Sequence, residues 1–218
     1  MRGFLVIFTL AFGLLAPGAA VARKSTRHAR PSPACPSRQL VLLADGHATI
    51  YSGGKARPYE VFGCVPGHRS YDLGRLESPA TPMFPGSPTR RARISQLTIA
   101  GPIVAFEETD EESREQIVVR DLRTGRTVVR ESHGVHGLQG VEQIVVKSDG
   151  AVAWMVQVNL GHGGNPIHRE VYAVDTSGTR LLAEGEEGLN PIERGSLALA
   201  GSTLYWTQSG KPLSAPLN

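Results

Sequence analysis

Four segments of the chain share one shape: an apolar strand, a tight turn on glycine, and a second apolar strand. They are residues 39–51 (QLVLLADGHATIY), 96–106 (QLTIAGPIVAF), 143–154 (QIVVKSDGAVAW) and 196–206 (SLALAGSTLYW). Their turn glycines, Gly46, Gly101, Gly150 and Gly201, stand 55, 49 and 51 residues apart. No stretch sustains a helical period, so a recurrence of this length predicts a repeated antiparallel sheet and almost no helix. The 25 glycines and 15 prolines among 218 residues suit such a chain of short strands and turns. With 40% hydrophobic and 20% charged residues, a wholly disordered chain is excluded. A net charge of +3 is too small to imply nucleic-acid binding.

The second half of each unit agrees with the first. Residues 116–129 (QIVVRDLRTGRTVV) and 170–182 (EVYAVDTSGTRLL) each read as a strand, an Asp-to-Gly turn and a strand. Asp121 and Asp175 suit the start of such turns because a carboxylate can accept the backbone amides that follow it. Gly125 and Gly178 supply the positive φ that closes them. In the first unit, residues 60–64, Pro66-Gly67 and 69–73 hold the same place more loosely. The fourth unit ends early, after 203–206, a turn at Ser209-Gly210 and a short 212–217. The reading is about four units of four strands each, the last truncated, or about fifteen strands.

Units of this length and strand number resemble the blades of β-propellers. The segments VVRDLRTGRTV and YAVDTSGTRLL are similar to the outer hairpins of WD-repeat-like and quinoprotein-like blades, and the closing YWTQSGKPLSAPL is similar to the end of secreted bacterial propeller-like repeats. Gly-His dipeptides occur at Gly46-His47, Gly67-His68 and Gly161-His162, but no Trp-Asp dipeptide follows them, so the resemblance stops short of the true WD-repeat family. It covers about residues 38–217 and implies an all-β, propeller-like repeat domain over 38–218. A β-sandwich is the alternative for any all-β chain of this size.

The N-terminus reads as an export signal. Arg2 precedes an apolar run from Phe4 to Leu15, Pro17-Gly18 breaks it, and Ala20-Val21-Ala22 offers small residues before a cut at Arg23. The run is shorter than the roughly 20 residues that span a bilayer, so residues 1–22 are expected to be a cleaved signal peptide, with no transmembrane span elsewhere. Residues 23–37, basic and Pro-rich, read as a flexible tail. Two cysteines in an exported chain, Cys35 and Cys64, suggest a disulfide. The expected location is secreted or otherwise extracytoplasmic.

Chemistry is sought on the face that would gather the long loops, residues 52–59, 74–93, 107–115, 132–140, 159–168, 185–193 and 208–211. Two of these carry histidine pairs: His133 and His136 in SHGVHG, and His162 and His168 in GHGGNPIH. Imidazoles converging with a carboxylate would bind Zn²⁺ or another transition metal. The acidic run Glu107, Glu108, Asp110, Glu111, Glu112 and Glu115 offers oxygen ligands but lacks the spacing of a Ca²⁺ loop; a solvated loop partly paired with Arg90, Arg91 and Arg93 is the plainer reading. No nucleophile elbow, phosphate-binding loop or dinucleotide fingerprint is present. Tyr51, Phe106, Trp154 and Trp206 recur at the end of each unit's second strand and are expected to be core. The function expected is a secreted, non-catalytic binding domain for an extracellular protein, peptide or glycan. A metal-dependent hydrolase or lyase using the loop histidines is the alternative. The truncated last unit also leaves room for a homodimer.

Overall fold

The computed structural model describes residues 35, 39–55, 59–76, 92–110, 112–132, 139–158 and 166–218, all within one compact unit, Pro31–Asn218. The expected signal peptide (1–22) and the tail (23–37) apart from Cys35 lie outside the described residues. The described residues form fifteen strands and no helix. The first unit holds β1 (Val41–Ala44), β2 (Thr49–Ser52), β3 (Glu60–Cys64) and β4 (Tyr71–Leu76). The second holds β5 (Arg93–Ala100), β6 (Ile103–Thr109), β7 (Glu115–Asp121) and β8 (Arg126–Ser132). The third holds β9 (Gln139–Val146), β10 (Val152–Val158), β11 (His168–Asp175) and β12 (Gly178–Glu186). The last has three: β13 (Ala198–Ala200), β14 (Thr203–Gln208) and β15 (Lys211–Pro216).

Within each unit the strands pair antiparallel in sequence order, as the repeat predicts. The sheets themselves differ from four separate blades. A short parallel ladder, Arg75 with Arg93 and Leu76 with Ile94, joins the first two units into one eight-stranded sheet. The third unit forms a four-stranded sheet and the last a three-stranded one, and among the described residues no closed barrel or ring is formed. The architecture is all-β with several open sheets, which is also compatible with the sandwich alternative. A sequence repeat specifies its hairpins through local turns and alternation; it carries no comparable local signal for how successive sheets join or close.

The turns follow their residues. Asp45 Oδ1 accepts the amides of His47 (2.9 Å) and Ala48 (3.1 Å), and Asp149 Oδ1 accepts that of Ala151 (3.0 Å). Asp121 accepts the Arg123 amide (2.8 Å) and Asp175 that of Ser177 (2.8 Å). Gly125 is required twice over. Its φ of +75° lies in the left-handed region, and a Cβ there would stand 2.0 Å from the ring of Tyr71 in β4.

Three apolar cores lie between the successive units. In β6, Val104 and Phe106 face the first unit's Ile50, Val61 and Leu73, while Ile103 and Ala105 face Val152, Trp154 and Val156 of β10. In β10, Ala153 and Met155 face the other way, into a core with Leu197, Leu204, Trp206 and Leu217. Successive strand residues point to opposite faces, so a strand covered on both sides must be apolar throughout. That is why the IVAF of β6 and the VAWMV of β10 read as continuous apolar runs. Tyr51, Phe106, Trp154 and Trp206 are all buried, as expected of core aromatics.

The two ends of this stack differ. At one end the first-hairpin turns meet: the Gly101 amide donates to Asp45 Oδ2, a Cβ on Gly101 would touch that of Ser148, and Lys147 Nζ donates to the Leu217 carbonyl at 3.0 Å. By strand alternation, the ends of β2, β4, β6, β8, β10 and β12, from which the longer connections follow, lie at the opposite end.

Candidate functional site

Ser52, Glu107 and Glu108 are the buried polar or charged residues among the described part of the chain, and all three lie at the connection end. A buried charge is retained only when it is compensated. Glu107 accepts a hydrogen bond from Ser95 Oγ and, at 3.4 Å, one from the Val141 amide of β9, so it bridges the second and third units. Glu108, its neighbour on the opposite strand face, accepts from Arg130 Nη1, which also donates to Gln116 Oε1 at 2.7 Å.

A second ionic group ties the third unit to the connection that follows it. Glu142 of β9, its side chain almost wholly enclosed, accepts from Arg169 Nε at 2.8 Å and Nη2 at 3.3 Å, and Arg194 Nε lies 3.4 Å away. Arg169 Nη1 also donates to the Ile192 carbonyl at 3.3 Å. Next to it, the Gln143 side chain behaves like a strand backbone: its Nε2 donates to the Leu197 carbonyl at 2.5 Å, and its Oε1 accepts the Leu197 amide at 3.1 Å.

On the other face of β11, alternation aligns His168, Glu170 and Tyr172. Glu184 of β12 stands directly opposite Glu170 in the ladder. His168 Nε2 is 3.7 Å from Glu170 Oε1, and Nδ1 is buried with no hydrogen-bond partner among the described residues. The Tyr172 hydroxyl donates to Glu170 Oε2 at 2.6 Å, and its ring stacks on Trp154 with centroids 5.5 Å apart. Burial, then the hydrogen bond to Glu170 and the charges of Glu170 and Glu184, push the Tyr172 hydroxyl up to about 12. The ligand atoms of His168, Glu170 and Glu184 all lie within 4.8 Å of one another.

Of the histidines expected from the sequence, His133, His136 and His162 lie outside the described residues. His168 is described, and the structure places it beside two carboxylates that the sequence reading did not single out. Alternation along H-R-E could have found Glu170; Glu184 needed the register of β12. In the acidic run, Glu111 lies outside the described residues, as do Arg90 and Arg91. Glu107 and Glu108 are buried in β6 and paired, rather than solvated in a loop. Asp110 closes its own turn, accepting the amides of Glu112 (3.0 Å) and Arg114 (2.9 Å) and the Arg114 guanidinium (2.7 Å). Glu107, Glu108 and Asp110 thus have different partners, while Glu112 shares the Arg114 guanidinium with Asp110.

Cys35 and Cys64 form the expected disulfide, with Cα atoms 5.7 Å apart. No helix among the described residues is long and apolar enough to cross a membrane. No known protein-family pattern matches the chain, and no curated protein sequence matches it.

Proposed function

We propose that the chain is an extracytoplasmic, non-catalytic binding module built of propeller-like blades, and that it takes its ligand at the connection end of the sheets. The observation that carries this reading is the asymmetry of the stack: short turns close one end, while the buried Ser52, Glu107 and Glu108 and the strand ends that border the long connections lie at the other. Ligand-contacting residues concentrate on loops held by a rigid scaffold, and the Glu142 and Glu107 contacts give those strand ends a fixed framework. Leu189, 76% exposed in the connection after β12, and the exposed Tyr59 before β3 add apolar contact area at the same end. The disulfide supports an oxidising, extracytoplasmic location. An extracellular protein, peptide or glycan is the ligand class such a mixed polar and apolar surface fits.

The purified chain is to be screened against glycan and peptide arrays, and the ligand then titrated against two charge variants. Leu189→Asp, at the connection end, is expected to weaken binding by about tenfold or more, the scale of an interface residue worth over 1 kcal/mol. Arg123→Glu, at the turn end, is expected to leave binding unchanged. Equal loss from both variants, or turnover of a screened glycan or peptide by the purified chain, defeats the reading.

A further inference from the structure

We infer that His168, Glu170 and Glu184 form a binding site for a single divalent transition-metal ion, with Zn²⁺ the best match. This goes beyond the binding-module reading and does not depend on it.

Three observations converge. Glu170 and Glu184 face each other directly across the β11–β12 ladder, an arrangement that is unfavourable for like charges without a cation to offset it. Among the described residues neither carboxylate pairs with a lysine or arginine; the nearby basic group is His168. His168 in turn is under-used. Its Nε2 is too far from Glu170 for a hydrogen bond, and its Nδ1 is buried without one among the described residues. Third, Tyr172 holds the distal Glu170 oxygen at 2.6 Å, which leaves Oε1 turned toward the imidazole. Such outer partners orient the ligands of metal sites.

The geometry needs little adjustment. Metal–ligand bonds of about 2.0–2.2 Å bring ligand atoms to within about 4 Å of one another. The three candidate atoms already lie within 4.8 Å, and Glu184 is exposed. Val156 and Val158 of β10, opposite Glu170 and His168, belong to the apolar core and wall the site on one side. One imidazole with two carboxylates suits Zn²⁺ and its first-row neighbours, whereas Ca²⁺ and Mg²⁺ prefer all-oxygen sites. Three protein ligands leave a fourth position open to water or to a ligand's oxygen.

The test uses the full chain, stripped with chelator and titrated calorimetrically with Zn²⁺, with elemental analysis of the loaded protein. One equivalent is expected, together with a rise in melting temperature, since an ion that binds only the folded state stabilises it. Glu184→Gln, at an exposed position, is expected to keep the metal-free melting temperature and lose affinity by about tenfold or more. Tyr172→Phe, which removes only the positioning hydroxyl, is expected to retain one equivalent at about tenfold weaker affinity. His168→Gln is expected to abolish stoichiometric binding. Failure of the unsubstituted chain to bind Zn²⁺ overturns the site. So does undiminished binding by both Glu184→Gln and His168→Gln, which would place the ion elsewhere, His133 and His136 included.

Discussion

Asp175 shows how a single turn residue couples this fold to pH. Burial pushes its carboxyl up, but the amides of Asn218 and Ser177 and the Arg180 guanidinium outweigh that and hold it below the ordinary range. Asp45 and Asp121 are held down in the same way: burial opposes, and for Asp45 the amides of His47, Ala48 and Gly101, for Asp121 the Arg123 side chain and amide, prevail. In Asp149 the hydrogen bond from Lys147 is the largest cause, against burial and with the Ala151 amide. A carboxylate with a lower folded than unfolded pKa stabilises the fold above the unfolded value, near ~3.9, and that contribution is lost as pH falls through the folded value. The urea midpoint is therefore expected to stay nearly level between about pH 5 and 7 and to fall steeply below about pH 4. Denaturation curves at pH 3, 5 and 7 check this; an unchanged midpoint at pH 3 would show that these turns contribute little.

At the scale of the element, β10 is the strand on which two cores depend. Its residues alternate between the core shared with β6 and β7 and the core shared with the last unit. Trp154 is the largest side chain in it and stacks on Tyr172. Trp154→Ala is expected to cost about 3–5 kcal/mol, because the cavity would open in the middle of a close-packed layer. Tyr205→Ala on β14, where the ring is largely exposed, is expected to cost less than about 1 kcal/mol. Equilibrium urea unfolding of both variants tests the contrast, and similar losses would mean that β10 is not the central layer. Much of this was legible beforehand. The turns at Gly101 and Gly150 and the buried aromatics of β6 and β10 are all visible in QLTIAGPIVAF and QIVVKSDGAVAW, although both strands run past those aromatics, because turn chemistry and alternation are local.

At the scale of the whole molecule, the Cys35–Cys64 bond ties a residue preceding β1 to the last residue of β3. Its sequence separation of 29 corresponds, on the chain-entropy account, to about 3–4 kcal/mol. The double variant Cys35→Ser, Cys64→Ser is expected to unfold at correspondingly lower denaturant while keeping a β-type circular dichroism spectrum. A variant as stable as the unsubstituted chain would leave the bond without a thermodynamic role. At this scale the sequence was least informative. Four repeats are consistent with a ring, an open array or a sandwich, and the merging of the first two units into one sheet rests on one short parallel ladder at residues 75–76 and 93–94 that no pattern announces.

The sequence alone determined the all-β class, the hairpins, the aromatic core positions and the cysteine pair. The first three depend on interactions between near neighbours in the chain or on a period of two, and the cysteine pair follows from an even count of two in a chain that reads as exported. Tertiary structure decided how the sheets join, that Glu107 and Glu108 are buried rather than solvated, and that His168 faces Glu170 and Glu184. Those outcomes depend on the register between strands and on which sheet covers which face. That information resides in the packing of residues far apart in the chain.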